Sequence, residues 1–595
     1  MERRVILAFL LSFAVFLLFV RFFGPDSTAP DEAAVDPAPT PVTAPAPVGG
    51  VPATSPGADA APSVAVAEDA APAAPAAVVE AEREQLVVVR TPLYEARLTN
   101  RGGRLLSLRL EEHRDAAGGL FEAIPQGDES VLAIRPLDVV LPGDPAPERL
   151  QAALYRVEVD GRERGGPVER RVEAGETMEL RFRWGGADGL QAVKSLRFSG
   201  DGYGIAGQVS VLRGGAEQRK EILYGPGVGE EVDAGRYLNP DQGVIKTAGE
   251  SRLYSVSDVA EGAAASLSAQ AVGVASHYFA GLLVGEPGQR YEARLDSVAI
   301  PWTSFTMVPE DAEGSRILLL GRLLATGEAS FTLFSGPKQV EALGELGVEI
   351  VEFGDWLRVL VVPLRAGLMW AYGVTGNYGW AIVLVTILIS LLLAPLKHYS
   401  YVSIRRMQKI SPNIKRIQAR YKGMKPTDPR RQGMNQEMMA LYKEHNVSPV
   451  GGCLPMLAMI PFFFAFYRLL VVSVELRHAP FVFWVQDLSR EDPYFILPIL
   501  MGVSQLFMQR MTTTAVEGIQ AKMMMFLPVV FTLILAWAPA GLVLYWFANN
   551  LVSMGQQVAT SRILDRREAA TEVIVPAGGK GKARHRRRKA GRPRR

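Results

Sequence analysis

Five apolar runs crowd into the carboxy-terminal part of the chain, at residues 378–396, 450–474, 494–509, 523–537 and 542–559. Crossing about 30 Å of hydrocarbon takes roughly 20 apolar residues in a helix, and each run is near that length, the third and fourth being short. One more run, 5–20, stands alone at the amino terminus, and nothing between is clearly able to span a bilayer. Hydrocarbon accepts only backbones whose polar groups are satisfied internally. The layout therefore predicts a polytopic α-helical membrane protein with six transmembrane helices and one large external domain.

Loop charge orients the spans. Residues 397–444 hold twelve Lys/Arg against three Asp/Glu, whereas 475–492 hold two basic and four acidic residues. Basic loops stay in the cytoplasm, so 397–444 and the basic stretch from Arg562 are assigned inside and 475–492 outside. Arg3 and Arg4 put the start of the first run inside as well, giving both termini a cytoplasmic position. Phe22 and Phe23 extend that run past Arg21 with no small-x-small cleavage site close behind, so 1–23 is predicted as an uncleaved anchor rather than a signal peptide.

Residues 24–83 are dominated by Ala and Pro and lack the aromatic and branched residues that would offset ordering entropy. They predict a disordered tether reaching on the order of 100 Å at about 3.1 Å per residue. From 84 to 335 the pattern changes to short β runs, among them 86–89, 94–98, 155–159, 180–184 and 205–211, separated by turn signals such as Asn100-Arg101-Gly102-Gly103 and Arg213-Gly214-Gly215. That pattern predicts an antiparallel β-sandwich. Gly225-Pro226-Gly227-Val228-Gly229 lacks the Lys-Ser/Thr ending of a phosphate loop and reads as a turn, and His277, without an apparent carboxylate partner, as a structural histidine. Residues 350–375 predict an amphipathic helix at the membrane interface: Asp355, Arg358 and Arg365 share one arc, with Trp356, Leu360, Leu364, Trp370 and Tyr372 as anchors.

Residues 398–446 predict a helical hairpin on the cytoplasmic side, broken once at Ser411-Pro412. Its apolar seam contains Met407, Ile410, Ile414, Ile417, Met434, Met438, Met439 and Leu441. The seam suits either packing between its two helices or an adaptable, methionine-lined contact with partners. The tail, 563–595, is basic and predicted disordered; its charge fits anionic lipids or ribosomal RNA, with no interleaved aromatics to read bases. A single cysteine, Cys453, excludes an internal disulfide, and no clustered Cys and His ligands form a zinc site. With no HExxH, GxSxG or nucleotide loop, the chain reads as neither an enzyme nor a cofactor binder. With no internal repeat and no acidic residue inside a span, it does not read as a small-solute transporter.

Polar residues do sit inside the spans: Thr386, Ser390, Arg468, Ser504, Gln505, Thr532, Asn549, Asn550 and Ser553. Thr386 and Ser390, like Asn549 and Ser553, are four apart and share a helix face. Such groups face either neighbouring helices, as hydrogen-bonded adhesive, or a shared watery cavity.

Several motifs carry a resemblance. Gly376-Asn377-Tyr378-Gly379-Trp380, Ala394-Pro395-Leu396, Gln436-Glu437-Met438-Met439-Ala440-Leu441-Tyr442, Pro449-Val450-Gly451-Gly452-Cys453-Leu454-Pro455, Ser473-Val474-Glu475-Leu476-Arg477, Leu497-Pro498-Ile499-Leu500-Met501-Gly502-Val503 and Gly541-Leu542-Val543-Leu544-Tyr545 resemble, in order and spacing, the bacterial YidC membrane protein insertases. The anchor, sandwich and Asn100–Gly103 motif look like the Gram-negative form, whose periplasmic domain is similar to galactose-mutarotase folds. The resemblance implies an inner-membrane insertase and chaperone with a five-helix core at 376–562, working without ATP on nascent membrane proteins, alone or beside the Sec translocon (SecYEG, SecDF), with the ribosome and anionic lipids as further partners. It implies a hydrophilic groove open to cytoplasm and lipid, lined here by Thr386, Ser390, Ser504, Gln505, Thr532, Trp546, Asn549 and Ser553, and no small-molecule substrate. The family places an arginine in this groove where the chain has Ser390, which leaves Arg468 as the candidate compensating charge. On this reading, Ser390→Arg is expected to improve insertion of clients with acidic external segments.

Overall fold

The computed structural model describes residues 78–574 apart from segments 116–117, 129–130, 230–240, 263, 306–313, 352, 354–356, 422, 424–429, 446–453 and 513–518. The expected anchor, nearly all of the tether, Asp355, Trp356, Cys453 and the last part of the tail lie outside the described residues. The chain divides into two compact units. One runs to Pro337 and includes Ala342–Ile350; the other comprises Lys338–Glu341 and everything from Val351 onward.

The first unit is a β structure of three sheets with five, eleven and five strands. The expected strands are present as Leu86–Arg90, Tyr94–Thr99, Arg156–Val159, Thr177–Gly185 and Gly204–Arg213. Their period of two sorts the side chains: in Leu190–Ser199, Leu190, Ala192, Leu196 and Phe198 are buried while Gln191 and Arg197 face out. Among the described ladders the pairing is antiparallel, with one departure: Leu86–Arg90 runs parallel to Val168–Arg171. Two sheets stack face to face. Tyr224 reaches from one to the other and its hydroxyl lies 3.0 Å from Ser335 Oγ. A Cβ at Gly281 would come within 1.8 Å of that ring, so only glycine lets the phenol pass.

The Asn100–Gly103 turn is held from below. Asn100 accepts a hydrogen bond from Gln85 N at 2.7 Å and donates to Tyr155 O at 2.9 Å, and Gly102 and Gly103 take positive φ. Lys194 occupies an inward strand position and is fully covered, donating to Gly102 O at 2.5 Å and Leu137 O at 2.7 Å. A buried ammonium needs such acceptors to survive desolvation. Gly225–Gly229 forms a turn with three glycines at positive φ, and His277 is buried edge-on against Tyr278.

The second unit is helical: α1 (Arg358–Thr375), α2 (Tyr378–Leu392), α3 (Ala394–Arg420), α4 (Arg430–Glu444), α5 (Leu454–Val472), α6 (Ile496–Thr512), α7 (Ile519–Leu535) and α8 (Ala540–Ile574). Gly376 takes φ +64° to end α1, and Asn377 immediately caps α2 by accepting from Trp380 N. The Asn377 amide also donates to Pro480 O at 3.0 Å, and Gly379 is bare because a Cβ there would meet the Phe481 ring at 2.0 Å. The motif Gly376–Gly379 is thus a double cap that seats the loop before α6.

Three expectations need correction. The run 378–396 is not one helix: α2 ends at Leu393 and α3 leaves at 63°. Pro395 falls in the first turn of α3, where a missing N–H costs little. Pro412 does not break α3, which continues to Arg420. One lost hydrogen bond is offset by burial of Ile410, Ile414 and Ile417 against Met438 of α4, with Met407, Met434 and Leu441 alongside. This is the packing-seam alternative, and Met439 alone of the seam residues stands half exposed. The last helix extends to Ile574, well beyond the apolar run 542–559.

No single described helix is both long and apolar enough to cross a membrane; the bent α2–α3 pair meets the length and composition requirement, and Met459–Val472 and Met525–Leu535 are shorter apolar helices. Arg365, expected on the polar arc of α1, is tied down. Its guanidinium donates to both Glu341 oxygens at 2.6 and 2.8 Å and to Glu475 at 2.8 Å, which holds the Glu341 carboxyl below the usual range.

A polar face among apolar helices

The helical unit has an apolar half and a polar half. Val361 and Leu368 of α1, Ala381 and Ile382 of α2, Phe466 and Leu469 of α5 and Leu542–Tyr545 of α8 form one buried cluster, with Phe466 stacked on Tyr545 at 4.2 Å. Further along the same helices the buried residues become polar: Thr386 and Ser390 on α2, Ser504 on α6, Asn550, Ser553, Gln557 and Thr560 on α8. At 100° per residue, Trp546, Asn549, Asn550, Ser553, Gln556 and Gln557 fall within roughly 120° of α8's circumference. They make one polar stripe below an apolar cap.

The stripe is bonded along both edges. On one edge, Ser390 Oγ donates to Asn549 Oδ1 at 3.2 Å and Gln556 Nε2 donates to the Ser390 carbonyl at 2.9 Å. On the other, Asn550 Nδ2 donates to Ser504 Oγ at 2.9 Å and Trp546 Nε1 donates to Gln505 Oε1 at 3.0 Å. Six of the anticipated groove residues are therefore joined to α8 or lie on it. Thr386 and Thr532 are not. Their hydroxyls donate to the carbonyls of Ile382 and Pro528, one turn back on their own helices. Thr532 also fills the space above Gly502, where a Cβ would come within 2.1 Å of its hydroxyl oxygen.

The residue that sequence reasoning missed is Lys397. It is 3 % exposed, and its ammonium donates to Ser553 Oγ at 3.0 Å, Ser390 Oγ at 3.4 Å and Asn549 Oδ1 at 3.4 Å. Among the described residues no carboxylate pairs with it. Arg468 lies on α5, and the Ser390 hydroxyl is engaged by Lys397 and Asn549. The charge beside Ser390 is thus a lysine seven residues later, returned to Ser390 by the bend at Leu393. Below it α3 runs along α8: Tyr401 donates to Ser553 O at 3.2 Å, His398 Nδ1 lies 3.3 Å from Thr560 Oγ1, and Arg405 donates to Ser561 O and pairs with Asp565. The amide oxygens of Gln556 and Gln557 are buried without a partner among the described residues, acceptors that water or a peptide N–H would satisfy.

Comparison with known proteins covers both units. A family model described as YidC periplasmic domain matches residues 86–366, and one described as 60Kd inner membrane protein matches 370–567. A membrane protein insertase YidC of Geotalea daltonii is 33% identical over 579 residues, spanning 95% of this chain and 100% of the relative. Of solved structures, the active YidC insertase with its first transmembrane domain resolved is 18% identical with TM-score 0.34, covering 81% of this chain and 95% of that one. A putative mutarotase from Salmonella typhimurium is 9% identical with TM-score 0.25, over 42% of this chain and 90% of its own.

Proposed function

This chain belongs to the YidC family of membrane protein insertases, and we propose that the polar stripe of α8 is the wall of a hydrated recess through which it inserts its clients. It is an inner-membrane protein with a periplasmic β-domain, and it inserts proteins into that membrane. In the finer reading the chain crosses six times, with α2, α5, α6, α7 and α8 as the last five spans, both termini and the α3–α4 hairpin in the cytoplasm. Exposed Trp370, Trp380, Tyr494 and Trp537 fit ends of spans at a membrane interface, where such rings collect on either side, and the loop charge supplies the orientation.

The observation that carries the reading is the sorting of side chains along α8. Apolar contacts seal its outer turns, and the hydrogen-bonded polar stripe begins only below them. Moving a polar loop through hydrocarbon costs several kcal/mol for each unpaired group. A wet recess that is closed outside shortens the dry path, and the client's apolar segment can then leave sideways into lipid. No nucleotide site is needed, since apolar burial drives the release. Nascent membrane proteins are the clients, with the ribosome, the Sec translocon and anionic lipids as further partners.

Cysteine accessibility tests this. In a Cys453→Ser background, Asn549→Cys reacts with a membrane-impermeant maleimide supplied from the cytoplasmic side, while Leu388→Cys, on an exposed apolar position of α2, does not. Equal protection of both would reduce the polar set to helix adhesive and remove the recess.

A further inference from the structure

We infer that Lys397 is the specificity-determining charge of the recess, selecting clients whose hydrophilic segment carries carboxylates; this deepens the recess reading above and rests on it. Lys397 presents three ammonium donors to three neutral acceptors, at 3.0, 3.4 and 3.4 Å. Dipoles satisfy those donors, but they do not cancel the charge. The two buried lysines of the β-domain each have a carboxylate nearby, Lys220 paired with Glu217 at 2.7 Å and Lys194 beside Asp138. Here the chain supplies none among the described residues, so the site keeps a net positive charge in a medium of low polarity. A carboxylate from a client would neutralise it.

The surroundings fit an exchangeable partner. Two of the three contacts are long, and Ser390 and Asn549 also bond each other at 3.2 Å, so both keep a partner when the ammonium turns away. Asn549 is partly exposed, which opens the cluster on one side. A carboxylate arriving there accepts from the ammonium with both partners ionised, a stronger bond than those to the neutral acceptors it replaces. The charge also rides on α3, the first helix of the hairpin, and not on α2 where Ser390 stands. His398, Tyr401 and Arg405 of the same helix are bonded along α8, so the seating of the hairpin sets the position of the ammonium.

The test uses the full-length protein in proteoliposomes and two forms of one small client, with acidic residues in its translocated segment or with those residues changed to their amides. Lys397→Gln keeps hydrogen bonding and removes the charge. It is expected to lower insertion of the acidic form about tenfold relative to the amide form, while Lys397→Arg keeps the wild-type ratio. Equal loss for both forms would make Lys397 a tie between α3 and α8 and overturn the inference, as would no loss for either. Asn549→Cys labelling in the same Lys397→Gln protein separates the two levels. If the thiol is reached and the acidic form is unaffected, only the lysine assignment fails; if the thiol is unreachable with Lys397 intact, the recess itself fails.

Discussion

Replacing Ser390 by arginine gives opposite outcomes on two readings of this site. Judged by sequence, the change restores a missing charge and should help acidic clients. Judged by geometry, it adds a second cation where one already stands, since Ser390 Oγ is 3.4 Å from the Lys397 ammonium. Two unit charges about 4 Å apart repel by about 4 kcal/mol at an effective dielectric of 20. A guanidinium that swings to about twice that distance still faces about 2 kcal/mol, roughly a thirtyfold penalty on having both charges in the recess. The expected result is that Ser390→Arg alone leaves insertion of an acidic client unchanged or lowers it. In a Lys397→Leu background the same change should raise insertion toward the wild-type level. Protease protection of a radiolabelled client in proteoliposomes reads the wild type and all three variants side by side. Stronger insertion by Ser390→Arg with Lys397 present than with it absent would refute the reasoning.

Truncation after Ile574, which spares Asp565 and its pairing with Arg405, should weaken ribosome co-sedimentation at low salt if the basic tail contacts RNA; unchanged binding removes that role. Gly379→Ala drives a methyl into Phe481 and should cost about 1–3 kcal/mol, seen as a lower melting temperature that Phe481→Leu partly restores. Lys194→Met strands the carbonyls of Gly102 and Leu137 and leaves Asp138 with one cation fewer, so thermal unfolding of the β-domain should fall by about 3 kcal/mol. Burial works against the Asp487 carboxylate, yet His478 and Ser489 outweigh it and hold its pKa below the usual range. A depressed carboxylate contributes stability above its unfolded pKa and loses it only as pH falls through the folded value. Amide protection in the loop 477–492 should therefore survive acidification to about pH 4 and fail below it, and loss at higher pH would contradict the assignment.

The parts of the fold written in local chemistry were legible. The strand runs announced themselves by alternation, the Asn100–Gly103 and Gly225–Gly229 turns by glycines that take positive φ, and the α1–α2 junction by Gly376 and Asn377. Where tertiary packing overrode a local signal, the reading failed. Proline 412 signals a break, but the isoleucines on either side of it, buried against Met438, hold α3 together. The parallel pairing of Leu86–Arg90 with Val168–Arg171 joins segments about eighty residues apart, and nothing local encodes a partner at that distance. Thr386 and Thr532 are the two expected lining residues whose hydroxyls do not join α8, each bonding one turn back on its own helix as threonine permits.

Lys397 stayed hidden for a different reason. Counted along an apolar run, it is the first residue past the end, and a lysine there reads as an interfacial anchor belonging to the next basic loop. Straight continuation of α2 would have put it about 10 Å further along the axis from Ser390, in water. The 63° turn at Leu393 redirects it, and that turn is set by the contacts of α3 with α8, which lie more than 150 residues away in sequence. A signal did exist in the chain: Asn549 and Ser553, four apart on one face, offer acceptors on the last span. Acceptors at that depth invite a cation from a neighbouring helix. Lys397, on a helix that turns back, meets Ser390, Asn549 and Ser553 together.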